Sequence, residues 1–258
     1  MVPSHTRAMS APREWDAATY DRVADPQTRW GVAVLDRLPL VGDETILDAG
    51  CGSGRVTEHL VNRVPRGRVV ALDASPAMVD EARRRLAPFD GRVDFVVADL
   101  GRPFRLPGVE HVDAIVSTAT FHWVADHDAL FRNLAAVLRP GGRLVAQCGG
   151  AGNIASIRAI LATIGDGWTG EAHYETPDAT AERLAAAGFV DIETWLQPKP
   201  TRFEAGEPLE TFLRTVILGG HVARLAEADR DAFVREVANR LAEPVIDYVR
   251  LNIVAARA

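Results

Sequence analysis

Residues 46–60 read ILDAGCGSGRVTEHL: an unbroken apolar run enters glycines at 50, 52 and 54, and a helical pattern begins at Arg55. The run has the length of a strand and does not alternate with polar residues. Both of its faces therefore expect apolar neighbours, as in a parallel sheet covered by helices on either side. Glycine at such a turn allows a tight bend and lets a ligand approach the backbone where a Cβ would otherwise stand. Taken alone, the motif serves a plain strand-to-helix turn as well as a ligand loop.

The same rhythm repeats downstream. RVVALDA (68–74) precedes a helix from about Pro76, and VDFVVADL (93–100) follows. VDAIVSTA (112–119) leads to a helix near residues 126–138, the turn RPGG (139–142) and the apolar strand RLVAQCG (143–149). Alternating strands and helices of this size predict βαβ units and five parallel strands. In ATAERLAAAGFVDIETW (179–195), Gly188 is placed to end a helix and a strand is expected from about Val190. YVRLNIVAARA (248–258) reads as a last strand, and the amphipathic stretches ETFLRTVIL (210–218) and RDAFVREVANRLAE (230–243) predict a helical cap before it.

Composition narrows the function. A chain of 258 residues with 47% hydrophobic and 25% charged side chains has the means to bury a full core. Its formal charge of −6, with arginines in short scattered clusters, excludes the broad basic surface that nucleic acid requires. Cys51 and Cys148 match neither a disulfide framework nor a metal-ligand spacing, which predicts free thiols, a reducing compartment and no bound metal. The N-terminal stretch MVPSHTRAMSAPREW lacks the apolar run of a signal peptide, and no stretch has the ~20 apolar residues of a membrane span. A cytoplasmic protein, a monomer or homodimer with no membrane partner, is expected.

Three acids mark the ends of the first three strands: Asp48 before the glycines, Asp73 nineteen residues beyond Gly54, and Asp99 in FVVADL. A dinucleotide site would carry a third glycine where Arg55 stands, and Asp48 serves a pyrophosphate poorly. Asp48 suits a cationic group, Asp73 can accept from ribose hydroxyls, and Asp99 can accept from an adenine amino group while Leu100 donates its amide. One strand-end aspartate is usually a helix cap; three in succession point to a ligand.

The order ILDAGCGSG, ALDASPAMV, VVADL, DAIVSTATFHWV and LRPGGRLVAQ resembles the class I S-adenosylmethionine-dependent methyltransferases over about residues 44–148. The start WDAATYDRVADPQTRW (15–30), FHWVADHDALFRNLAAVLRPGG (121–142) and the cap pattern are similar to the trans-aconitate methyltransferase and juvenile hormone acid methyltransferase group. FHWV departs from that group, whose trans-aconitate members tend to have an amide before the tryptophan. The resemblance implies an α/β fold: a doubly wound, mostly parallel, seven-stranded Rossmann-like sheet with a helical cap inserted before the last strand. It divides the chain into a disordered tail (1–13), a cofactor-binding core (14–200 and 245–258) and a cap over the acceptor pocket (201–244). It implies S-adenosylmethionine as cofactor, with Gly50 and Gly52 along the methionine moiety, Asp73 on the ribose, and Ala74 and Met78 against the adenine. Asp99 and Leu100 would read the adenine edge, Ser117 would lie near the sulfonium, and Tyr20 would close over the methionine end.

Methyl transfer from a sulfonium is an in-line displacement in which charge disappears, so alignment does most of the work. An ionised carboxylate needs no base, whereas an amine or phenol must lose a proton. The resemblance implies a small-molecule acceptor, either a carboxylic acid or a hydroxyl or amine of a natural product; a non-catalytic S-adenosylmethionine-binding protein is the alternative of another class. His122 is the candidate catalytic base, or else a lid residue with Trp123. His127, before a helix, is expected at the surface. Asn153 sits on either a glycine hinge or the acceptor rim, and Arg29, Arg158, Arg202 and Arg214 are the candidate carboxylate anchors.

Overall fold

A computed structural model describes residues 25–258; the expected tail, the first helix around Trp15 and the candidate Tyr20 lie outside the described residues. The main sheet contains β1 (Thr45–Ala49), β2 (Arg68–Asp73), β3 (Val93–Val97), β4 (Val112–Thr118), β5 (Leu138–Gly149), β6 (Phe189–Pro198) and β7 (Val249–Arg257). Their spatial order is β3-β2-β1-β4-β5-β7-β6. The first five run parallel, and β7 lies antiparallel between β5 and β6. Chain order reverses between β1 and β4, and in open α/β sheets the crevice beyond the strand ends at such a reversal is where ligands bind.

The unbroken apolar runs have the expected cause. Ile46, Val69, Val116 and Val145 pack with residues of α1 (Asp25–Leu35) and α2 (Arg55–Arg63), while their neighbours Leu47, Val70, Ile115 and Leu144 pack with α4 (His127–Val137). Successive strand residues face opposite ways, so a sheet covered on both faces needs an apolar side chain at every position.

The turn after β1 is held by its own backbone. The amides of Gly50 and Cys51 both donate to the Leu72 carbonyl, at 2.7 and 2.9 Å, clamping the loop to the end of β2. Gly50 has φ +91°, and a Cβ there would lie 2.1 to 2.6 Å from the side chain of Thr120, whose hydroxyl donates to the Gly50 carbonyl. Gly52 has φ +52°, yet a Cβ there would meet nothing among the described residues within 4 Å. So Gly50 is required by the protein's own packing, whereas Gly52 leaves an open face. Beyond the loop, α3 (Pro76–Leu86) starts at Ser75, whose hydroxyl accepts from the Met78 amide.

Between β6 and β7 the chain is mainly helical. α7 (Glu207–Phe212) runs into a π-helical turn (Leu213–Ile217), followed by α8 (Gly219–Ala223) and α9 (Glu227–Arg240). Phe212, Leu213, Val234 and Val237 form an apolar cluster with Ile157 and Leu161 of α5 (Ala155–Leu161), which seats these helices beside the end of β5. A two-residue antiparallel ladder, Thr201–Arg202 with Val245–Ile246, joins the base of the insertion. α6 (Pro177–Ala186) ends before Gly188, as expected.

Two local expectations are corrected. RPGG is not a turn ahead of a strand but lies inside β5: Leu138 pairs with Val112 and Arg143 with Ala114, so the intervening residues bulge out around Gly141, φ +72°. His127 is buried, because the start of α4 tucks under the turn Phe121–Trp123, where His127 Nε2 lies 2.9 Å from the Phe121 carbonyl. Among the described residues, no helix is long and apolar enough to cross a membrane, and no cluster of three or more ligating side chains could hold a metal ion.

The two loop glycines should behave differently on substitution. Gly50→Ala should destabilise the protein by about 3 kcal/mol, combining left-handed strain with overpacking against Thr120. Gly52→Ala should cost about 1 kcal/mol, from the strain alone. Denaturant unfolding of the two variants checks the difference.

Candidate active site

Asp48 is 1% exposed at the end of β1. Its Oδ2 accepts from the Thr57 hydroxyl at 2.7 Å, and its Oδ1 is buried with no hydrogen-bond partner among the described residues. Burial raises its pKa to about 6, the Thr57 hydrogen bond opposes the rise, and the charge of Asp73 adds to it. Asp73 accepts the Gly52 amide on Oδ2 and the Ser75 amide on Oδ1, each at 2.9 Å. One carboxylate thus shapes both the glycine loop and the start of α3. The two carboxylates lie near enough for the charge of Asp73 to act on Asp48, and Asp73 holds the Gly52 amide. Their fit is to a positive ligand lying on an open glycine face: a buried acid oxygen lacking a partner repels a pyrophosphate and attracts a cation.

Asp99 ends the next strand with a turn of its own, accepting the Gly101 amide at 2.8 Å and pairing with Arg102 at 3.5 Å. A Cβ on Gly101 would lie between Asp99 Oδ1 and Val124, so Asp99 sits against the segment that follows β4. Met78 and Leu100 are buried, and Ala74 is half-buried. Ser117 is also buried; its hydroxyl donates to the Ala49 carbonyl at 2.6 Å, cross-linking β4 to β1 directly behind the loop.

His122 lies in the turn Phe121–Trp123 above β4. Its Nδ1 accepts the Gly149 amide at 3.3 Å, which assigns the ring proton of the neutral imidazole to Nε2. Its carbonyl accepts from His173, and its ring faces those of Trp123 and Tyr174 at 4.8 and 5.8 Å. His122 lines a pocket between the end of the sheet and the helical insertion, with Trp123, Trp168, Tyr174, Val216 and Ile217 among its walls. Asn153 reaches the same pocket; its Oδ1 accepts the Val249 amide at 2.9 Å and its side chain bonds the Tyr174 phenol. Ala119 and Ile154, both lining this pocket, have φ of +57° and +49°. Such strain in non-glycine residues concentrates at functional sites, and for a β-branched residue it is a genuine outlier.

The arginine in this pocket is Arg250, which is 3% exposed, with its guanidinium 5.2 Å from the Trp30 ring. None of the four arginines singled out in the sequence is among the lining residues. Arg202 pairs with Glu243 and Arg214 with Asp231, Arg29 is exposed, and Arg158 lies over the Tyr174 ring while bonding Thr169. Arg250, Tyr174 and Thr57 were missed. The available signal was Arg250 near the start of the apolar run YVRLNIVAARA, where a charge facing a covered sheet demands a reason. Cys51 and Cys148 are free and buried, and burial pushes the Cys148 thiol up to about 12, so neither is a nucleophile at neutral pH.

Comparison with known proteins agrees with this geometry. A family model described as a methyltransferase domain matches residues 46–142. The chain is 34% identical over 183 residues to the trans-aconitate 2-methyltransferase of Methylobacterium nodulans, covering 71% of this chain and 67% of the relative. It is 31% identical over 228 residues to the protein of that name from Azoarcus sp. (strain BH72), covering 85% and 86%. Other matched trans-aconitate 2-methyltransferases align over about half their own length. Among solved structures, Haemonchus contortus phosphoethanolamine N-methyltransferase 2, in complex with phosphomonomethylethanolamine and S-adenosylhomocysteine, superposes with a TM-score of 0.64 at 17% identity. That match covers 93% of this chain and 56% of the other, and it speaks for the fold alone. With this sheet order, this loop and these relatives, the chain belongs to the S-adenosylmethionine-dependent methyltransferase family that includes the trans-aconitate 2-methyltransferases.

Proposed function

We propose that this methyltransferase places a methyl group on a carboxylate oxygen of a small molecule held in the pocket beneath the helical insertion. The observation that carries the reading is Arg250, a buried guanidinium in the pocket wall. A guanidinium fork matches a carboxylate with two parallel hydrogen bonds and fixes its orientation as well as its charge. A carboxylate arrives ionised at neutral pH, so the reaction asks for alignment and exclusion of water, not for a base. On this reading His122, which lines the pocket with its Nδ1 accepting the Gly149 amide, helps to orient the acceptor and does not act as a base.

S-adenosylmethionine, when bound, supplies a methyl group activated by the attached sulfonium. On our reading Asp73 accepts from the ribose hydroxyls, Ala74 and Met78 pack the adenine, and Asp99 with Leu100 reads its edge. Gly50 and Gly52 flank the methionine moiety, Asp48 stabilises its positive charge from below, Ser117 stiffens the strand end behind it, and Tyr20 closes over it. Residues 14–200 and 245–258 then form the cofactor-binding core, and 201–244 the cap. We further propose a cytoplasmic monomer or homodimer without nucleic-acid or membrane partners; the formal charge of −6 argues against nucleic acid.

The Asp48 carboxyl yields a signed pH dependence. Its folded pKa of about 6 lies above the unfolded value of 3.8, so its contribution to apoprotein stability is full below 3.8 and is lost as pH rises through about 6. A bound cation favours the ionised form, so cofactor affinity should rise over the same interval, with release of a proton. Titration calorimetry at pH values from about 5 to 8 should show S-adenosylmethionine binding tightening by about tenfold and then levelling off. Asp48→Asn should abolish the trend and weaken binding at the upper end; a flat wild-type profile contradicts the role.

Arg250→Gln should lower kcat/KM for an acid acceptor by on the order of 100-fold while leaving cofactor affinity within about threefold. Arg250→Lys should recover part of the loss, because charge survives without the fork. S-adenosylhomocysteine formation, measured beside cofactor titrations that check folding, decides it. Undiminished turnover of the acid by Arg250→Gln overturns the carboxylate reading.

A further inference from the structure

Resting on the carboxylate reading above, we infer that the acceptor is a monocarboxylate with an apolar body, not a tricarboxylate. The first argument is the charge around the pocket. Among its described lining residues Arg250 is the only lysine or arginine, and Glu171, exposed at the rim, contributes an opposing carboxylate. The two lining histidines are committed to the backbone: His122 Nδ1 to the Gly149 amide, and His221 Nε2 to the Trp168 carbonyl at 2.9 Å.

The second argument is where the neighbouring cations lie. The Arg158 guanidinium lies 5.4 Å from the Tyr174 ring and bonds Thr169. That of Arg224 lies 4.3 Å from the Trp168 ring and bonds Asp166. Both brace an aromatic wall through its π face, and neither lines the cavity. Beside the uncharged polar groups of Asn153, Thr169 and Tyr174, much of the described lining is apolar or aromatic: Trp123, Trp168, Tyr248, Leu161, Val216 and Ile217. The π-helical turn delivers the last two. A second or third carboxylate set against these side chains would lose water and gain no cation among the described lining residues, whereas a ring or branched chain would be buried favourably.

The test uses the full chain and two readouts. Into protein saturated with S-adenosylhomocysteine, we would titrate phenylacetate, 3-methylbutanoate, octanoate, trans-aconitate and propane-1,2,3-tricarboxylate, following the fluorescence of the wall tryptophans. S-adenosylhomocysteine formation from S-adenosylmethionine would be measured with the same acids. The expected result is that at least one monocarboxylate binds, and is turned over, about tenfold better than either tricarboxylate. Ile217→Arg should narrow or reverse that ratio by adding a cation to the apolar wall. A tricarboxylate that binds as well as the best monocarboxylate, or failure of both classes to bind, overturns the inference. The primary amide of the best acid separates this inference from its parent: equal binding of amide and acid sinks the carboxylate reading while leaving the preference for an apolar body in place.

Discussion

The structure depends on how β1 is made to stop. At its end the backbone turns away through Gly50, against Thr120, and two successive amides fasten onto the Leu72 carbonyl of β2. Asp73 then takes the Gly52 amide and the Ser75 amide on its two oxygens, so the end of the second strand holds both the loop and the next helix. A buried carboxylate without a full set of partners is expensive, and Asp48 is such a group, tolerated at the end of β1 just before the glycine loop. That cost becomes useful in the presence of a positive ligand, which converts a penalty of burial into attraction.

The last strand completes what the first begins. β7 runs against β5, so Asn252 meets Gln147 across the ladder, and the Gln147 amide nitrogen and Arg37 both donate to the Asn252 oxygen at 2.7 Å. Two residues earlier, Arg250 is carried to the pocket side of the sheet end beside the Trp30 ring. The glycine loop and the pocket beneath the insertion therefore share one sheet but draw their charge from opposite ends of the chain: acids at the ends of the first strands, a guanidinium at the start of the last. The helices between β6 and β7 contribute chiefly apolar wall.

Much of this was legible in residues that interact locally. The apolar runs, the glycine punctuation and the acids at strand ends follow from periods and spacings, and the seven-stranded order with its helical insertion stands as expected. What local reasoning could not supply were contacts across long separations. Gly50 and Gly52 look alike in sequence, but one is required by Thr120, seventy residues away, and the other by nothing in the described protein. His127 carries the mark of an exposed helix start, yet tertiary packing buries it under the preceding turn. Arg250 and Tyr174 become pocket residues only once β7 and the segment before α6 are brought beside β5. Four other arginines were equally eligible by composition.

The most direct test is a crystal structure of the protein with S-adenosylhomocysteine. The account predicts the amino acid portion over the open face of Gly52 with its ammonium toward the Asp48 side, the ribose hydroxyls on Asp73, and the sulfur turned toward the pocket that holds His122 and Arg250. Density for the product elsewhere, or in this crevice with its sulfur turned away from that pocket, would contradict it.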